Sequence, residues 1–107
     1  MQKDTDHMVI YNVTVNVNNE ILDDWMSFMK ETHIPDVMNT GFFTGHRFLR
    51  LVKQEQEGTT YCIQYFTDTL AKLQQYMSAE APRLQQDVAS RYGEKALAFR
   101  TILESVD

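Results

Sequence analysis

Few side chains in this sequence can do chemistry near neutral pH, and one of them, His33, stands two residues before a proline in WMSFMKETHIPDVM, Trp25 to Met38. An imidazole titrates in the physiological range, so at a cavity wall it can move a proton as a general base or hold a substrate by a hydrogen bond. Near the last turn of a helix it can instead bond the carbonyls that a helix end leaves without partners. Metal ligation would need further ligands, and the remaining histidines are His7 and His46. His7 falls in a stretch, 1–7, that reads as a flexible N-terminal tail. No metal site and no cofactor are expected.

A second set of candidates lies in stretches that read as strands. Asn12, Thr14 and Asn16 line one face of the first, Gln64 shares a face of the third with Cys62 and Phe66, and Arg100 sits between Ala98 and Ile102 in the fourth. Polar groups in central strands need partners once buried, so these residues form either a hydrogen-bonded network at a subunit interface or a pocket that orients a small ligand, with Arg100 receiving an anion. Arg47 and Arg50 project to opposite faces, and an edge-strand arginine is usually solvated. Trp25, with Met26, Met29, Met38 and Met77, can supply an adaptable apolar wall or simply core. Asn12, Trp25, His33, Gln64 and Arg100 are therefore the candidate ligand-binding residues, and His33 is the candidate base. Cys62 reads as a small buried hydrophobe, because burial raises a thiol's pKa and no histidine is near it in sequence. Asp23 and Asp24 fall on a solvated helix face. Phosphate-cradling glycine loops, serine nucleophile motifs and metal-protease motifs are missing from the sequence.

The elements that must position these residues follow from periodicity. VIYNVTVNV, Val9 to Val17, alternates as a strand does. Asn18 or Asn19 can cap a helix whose stripe runs through Ile21, Leu22, Trp25, Phe28, Met29 and Thr32. Proline disfavours the helical state of the residue before it, so Ile34 should end or sharply kink this helix, with a short helix PDVMNT following and Gly41 closing it at positive φ. FFTGHRFLRLVKQ (43–54), a turn, and TTYCIQYFT (59–67) read as a hairpin. Asp68 can cap a second helix through Leu70, Leu73, Met77, Ala81, Leu84, Val88 and Tyr92, interrupted at Pro82 and stopped at Gly93, and KALAFRTILESV (95–106) is the last strand. The order is βαββαβ. Each half has a strand, an amphipathic helix, an X-X-Pro joint (HIP, EAP) and a glycine stop. This pseudo-repeat predicts an α+β, ferredoxin-like domain over 8–107: a four-stranded antiparallel sheet with the helices on one face.

Composition narrows the function. The chain has 107 residues, 43% of them hydrophobic, which suffices for one core, and its net charge of -5 without a basic run argues against a nucleic-acid surface. No apolar run approaches the ~20 residues of a membrane span, and the polar start lacks a signal-peptide core. One cysteine makes no internal disulfide. The expectation is a cytoplasmic protein that contacts neither nucleic acid nor membrane.

VIYNVTVNV, WMSFMKETHIPDVMNTGFF, YCIQYF, APRL and AFRTILE together, over about residues 8 to 105, resemble a family of short bacterial proteins known only as a domain of unknown function. More distantly, the fold and the His-X-Pro joint are similar to the dimeric α/β-barrel superfamily, which includes antibiotic-biosynthesis-type monooxygenases, haem-degrading enzymes and EthD-like proteins. That resemblance implies two sheets packed face to face across a dimer axis and a cavity between each sheet and its helices. Haem-degrading members use an asparagine on the first strand with a tryptophan and a histidine from the second half. Asn12 could match the first, but residues 61–93 contain neither Trp nor His, which sets haem chemistry aside.

Apolar side chains fall on both faces of the strands, whichever register applies: Ile10 opposite the valines, Leu49 and Leu51 opposite Phe48 and Val52, and Leu97, Phe99 and Leu103 opposite Ala98 and Ile102. A sheet face left uncovered would expose them, so a homodimer through the open sheet face is expected. The sequence thus points to a small dimeric α/β-barrel protein that binds a small molecule or acts as a non-catalytic regulatory dimer. The alternative is a cofactor-independent enzyme of monooxygenase or isomerase type.

Overall fold

A computed structural model describes residues 7–107. Of the tail expected over 1–7, residues 1–6 lie outside the described residues, and His7 Nε2 stands 3.5 Å from Glu104 Oε2. The chain runs β1 (Val9–Val17), a 3-10 turn (Asn19–Ile21), α1 (Leu22–Phe28), a π turn (Met29–His33), α2 (Ile34–Asn39), β2 (Gly45–Arg50) and β3 (Thr59–Thr67). It then continues through α3 (Leu70–Ala79), α4 (Ala81–Tyr92), a second 3-10 turn (Gly93–Lys95) and β4 (Ala96–Glu104). The strands form one open antiparallel sheet in the order β2-β3-β1-β4, the ferredoxin-like arrangement.

The alternation of β1 decides the layering. Val9, Tyr11, Val15 and Val17 are buried beneath the helices with Tyr61, Ile63 and Tyr65 of β3, and Trp25, Phe28, Leu73, Tyr76 and Leu84 close over them. Complete burial contributes ~1.5–3 kcal/mol for each large apolar side chain, so this layer outweighs any single polar contact. Trp25 is 1% exposed and wedges its ring against Tyr61 and Phe48, with centroids 5.2 and 5.7 Å away. At the far end Phe43 stacks among Tyr65 (5.3 Å) and Tyr76 (4.8 Å).

That use of Phe43 explains why β2 is shorter than the expected span of 43–54. Its ring turns into the core instead of alternating, and the chain leaves the sheet after Arg50, which puts Val52 at 86% exposure outside the strand. The helix after β3 is capped by Thr69, whose Oγ1 accepts from Lys72 N at 3.1 Å, where Asp68 was the expected cap. Asp68 instead pairs with Lys72 Nζ at 3.3 Å. Asn18 does cap the first helical turn, its Oδ1 accepting from Glu20 N at 2.8 Å.

A larger departure occurs at the joint before Pro35. Ile34 neither ends the helix nor leaves the helical region, with φ -62° and ψ -44°, and its N–H bonds Met29 O five residues back. A π turn takes in one extra residue and widens the coil just where Pro35 lacks an N–H and its ring would meet the carbonyl of Glu31. Helix α1, the π turn and α2 thus make one continuous path, and His33 lies inside it.

Gly41 ends α2 at φ +84°, and Gly58 holds the same φ before β3. A side chain at Gly41 would meet nothing within 4 Å, whereas a Cβ at Gly58 would come within 2.6 Å of Val17 O. Gly41→Ala should therefore cost ~1–2 kcal/mol from the left-handed backbone alone. Gly58→Ala should cost more, and Gly45→Ala, which has ordinary φ and a 3.7 Å neighbour in Phe66, should cost the least. Urea unfolding of the three variants checks this order.

Candidate functional site

Between β1, β4 and the two helical segments the core does not close. A cavity of about 170 Å³ is walled by Val13, Val15, Trp25, Met29 and Ile63 on one side and by Val88, Ala89, Ala96 and Ala98 on the other, with His33, Gln85 and Arg100 as its polar members. A smaller space of about 30 Å³ extends it inward to Tyr11, Tyr65 and Tyr76, sharing Val13, His33, Gln85, Val88 and Arg100. The cause is side-chain size: Ala96 and Ala98 stand on β4 where larger residues would fill the gap, and Gly93 turns the chain at its rim.

His33 reaches this cavity because of the π turn, which sets its place around the helix axis. Its ring lies 5.9 Å from that of Phe28, which Tyr92 meets edge-on at 5.8 Å and the Arg91 guanidinium covers at 4.3 Å. Tyr92 is in turn fixed by donating to Asp24 Oδ2 at 2.7 Å. His33 caps no helix end. Its Nδ1 is buried and has no hydrogen-bond partner among the described residues, and the carbonyls it was expected to bond are absorbed by the continuing helix. Burial lowers its pKa, Asp87 and Asp36 oppose that shift, and Arg100 reinforces it. The imidazole is neutral at pH 7.

Arg100 shares the helix side of β4 with Ala98 and Ile102, opposite Val13 of β1. Among the described residues it makes no salt bridge. Gln85 donates from Nε2 to the Tyr11 hydroxyl at 3.3 Å. Tyr65 and Tyr76 are held protonated, first by burial and then by the neighbouring tyrosines.

The structure brings Trp25, His33 and Arg100 together but separates Asn12 and Gln64 from them. In the ladder Asn12 faces Gln64 on one side and Thr101 on the other, all on the face turned away from the helices. A pocket uniting all five residues is therefore not formed, because strand residues of unlike parity in this register lie on opposite faces. On the open face Asn12 Nδ2 donates to Thr14 Oγ1 (3.1 Å) and Thr101 Oγ1 (3.2 Å), and Thr14 Oγ1 lies 3.6 Å from Cys62 Sγ. Cys62 is half-buried rather than buried. Arg47 lies on that open face beside Phe66 (5.9 Å), and Arg50 on the helix side. Gln85, Phe28 and Arg91 escaped the sequence reading; Gln85 lies one position past Leu84 on the α4 stripe, which is the only signal it carries. Among the described residues no three His, Cys, Asp or Glu side chains gather to hold a metal ion, and no helix is long and apolar enough to cross a membrane.

A family profile described as "Domain of unknown function (DUF4286)" matches residues 8–106. The chain belongs to that DUF4286 family. No curated protein matches the sequence. Among solved structures, this DUF4286 chain is similar to an ethyl tert-butyl ether D (EthD) family protein from Bacillus halodurans, with TM-score 0.70, 16% identity, and 92% of this chain and 99% of that one covered. An EthD-like protein from Ralstonia eutropha aligns with TM-score 0.68 and 14% identity over 94% and 93% of the two chains. A dimeric ferredoxin-like protein from an uncultured marine organism follows with TM-score 0.56 and 12% identity over 94% and 96%. At these identities the likeness is one of fold.

The lowered pKa of His33 has a consequence for stability in the DUF4286 chain. Between the folded pKa and the unfolded value of about 6.5, the unfolded chain binds more protons, so stability falls as the pH drops through that window and levels off below the folded pKa. The groups that set this shift are Asp36 on α2, Asp87 on α4 and Arg100 on β4. Denaturant unfolding at pH 7 and pH 5 should show a larger loss in the wild type than in His33→Gln, because the carboxylates titrate alike in both. Equal losses would mean that the imidazole keeps its ordinary pKa.

Proposed function

We propose that this protein is a homodimer, joined through the open sheet face, that binds a small molecule in the cavity between its sheet and helices. The observation carrying the binding half is the orphaned Nδ1 of His33 at that cavity: a buried polar atom without a partner costs ~1–3 kcal/mol, and a ligand that bonds it recovers that cost. Apolar walls with few polar groups are the usual make-up of a ligand site. A regulatory dimer without catalysis fits the same features, since no nucleophile or carboxylate pair enters the cavity. A cytoplasmic setting is part of this reading, supported by the single free cysteine.

The dimer half rests on exposed apolar side chains. Leu97 and Phe99 are 61% and 62% exposed on the open face, joined by Leu103 and Leu49, while Ile102 carries the apolar surface round the β4 edge. Monomers rarely leave such a contiguous patch in water. The dimeric ferredoxin-like neighbour supports this choice of partner.

One observation favours a second reading, a cofactor-independent enzyme of monooxygenase or isomerase type. A neutral buried imidazole beside a guanidinium is suited to take a proton from a bound substrate while the cation steadies the resulting charge. Turnover separates the readings: deuterium exchange from solvent into a bound carbon acid, or oxygen uptake, belongs to the enzyme alone.

Light scattering at micromolar concentration should give about twice the chain mass of 12.5 kDa, and Phe99→Glu should give the monomer. A wild-type mass near that of one chain would overturn the dimer. A metabolite screen by thermal shift should find compounds that stabilise the wild type and fail on His33→Ala. Compounds that bind both proteins equally would remove His33 from the site.

A further inference from the structure

We infer that the ligand of the helix-side cavity is a small organic monoanion, a carboxylate on an apolar body about the size of one or two fused rings, with its carboxylate on Arg100 and its body beside Trp25 and Val88. This inference rests on the binding reading above and adds the chemical class.

Charge comes first. Arg100 is the one charged side chain lining either part of the cavity, and it makes no salt bridge among the described residues. A guanidinium presents paired donors in a plane, which matches the two oxygens of a carboxylate. The other polar members add no positive charge: Gln85 is an amide engaged with the Tyr11 hydroxyl at 3.3 Å. His33 offers an unpartnered ring nitrogen, a hydrogen-bonding group rather than a second cation. Asp36 and Asp87 lie close enough to act on His33 from α2 and α4. A phosphate dianion would therefore bring one charge that Arg100 offsets and one that meets neighbouring carboxylates, while a monoanion is balanced.

Size and wall chemistry give the body. Val13, Trp25, Met29, Val88 and Ala98 present apolar surface around about 170 Å³. Apolar cavities of ~150 Å³ accept a benzene ring, and the inward extension of about 30 Å³ toward Tyr11 and Tyr76 leaves space for little more. The alanines and Gly93 on the β4 side leave the mouth beside Arg100, so the carboxylate lies toward the rim and the body inward.

The test titrates the full-length protein at pH 7 by calorimetry with benzoate, phenylacetate and 2-naphthoate, each against its neutral primary amide, and with phenyl phosphate as a dianion. The ¹⁵N resonances of the His33 ring report occupancy of the cavity. At least one carboxylate should move the His33 resonances and bind about tenfold tighter than its amide, the scale of a charge-assisted hydrogen bond. Arg100→Gln should reduce that carboxylate to the level of the amide without changing amide affinity, and Arg100→Lys should recover part of the difference. Acid and amide binding equally while His33 responds would overturn the monoanion and leave the binding cavity standing. Carboxylate affinity unchanged in Arg100→Gln, or phenyl phosphate binding tighter than benzoate, would likewise overturn the assignment. If no probe moves His33, both the ligand class and the cavity reading fall.

Discussion

Successive side chains of a strand point to opposite faces, so the pairing of β1 with β3 and β4 decides which chemistry lies under the helices and which lies on the open side. Val13 opposite Ile63 and Arg100 puts a cation against an apolar floor. Asn12 opposite Gln64 and Thr101 puts an amide network on the other side of the same sheet. A slip of β4 by one residue would turn Arg100 to the open face and bring Phe99 under the helices, where the cavity now lies. The valines of β1 and the tyrosines of β3 hold the register, because moving them to the open side would forfeit the burial of an entire layer. The cavity exists only while that register does.

Much of this was legible in the residues. The alternation of Val9–Val17, the helical stripes, the glycine stop at Gly41 and the apolar surplus on both sheet faces lead to the ferredoxin-like sheet without any coordinates. What was not legible depends on relations between elements. The parity of Asn12 and of Gln64 can each be read within its own strand, but whether Arg100 shares their face depends on how β4 meets β1, and single-strand patterns do not contain that. Phe43 was assigned to a strand on its aromatic β preference, yet packing against Tyr65 and Tyr76 won over it. The cap at Thr69 rather than Asp68 differs by one position, within the ordinary uncertainty of a helix end.

The joint at Pro35 is the most instructive miss. Reading proline as a helix breaker places His33 at a terminus, where bonding orphan carbonyls is its natural work. The chain instead absorbs the proline in a π turn, a device found often at functional sites. One inserted residue rotates everything after it by about 100° around the axis, which carries His33 from the edge of the stripe to the cavity. Phe28, Tyr92 and Arg91 then hold the ring by stacking and a cation–π contact, interactions of ~0.5–1.5 kcal/mol each for aromatic pairs. A side chain held by three neighbours and yet lacking a partner at Nδ1 has its position fixed and its bonding capacity unspent. Local rules broken with such support are where function is to be sought.

The open face poses the complementary problem. Its edges are apolar, through Leu97, Phe99 and Leu103 on β4 and Leu49 on β2, while its central strands carry Asn12, Thr14, Asn16, Cys62 and Gln64. Ordinary interfaces have the reverse plan, an apolar centre and a polar rim. Apolar edges alone would let two flat surfaces slide past one another with little change in energy. The central amides remove that freedom, because Asn12 Oδ1 is already buried and unpartnered, and any covering surface that fails to offer it a donor leaves a cost of ~1–3 kcal/mol in place. A polar group inside an apolar contact trades some affinity for a single permitted alignment, as buried asparagines do in coiled coils. Since Asn12 is tied to Thr101 on β4 and Thr14 is near Cys62 on β3, that alignment is tied to the sheet register that also builds the cavity on the opposite face.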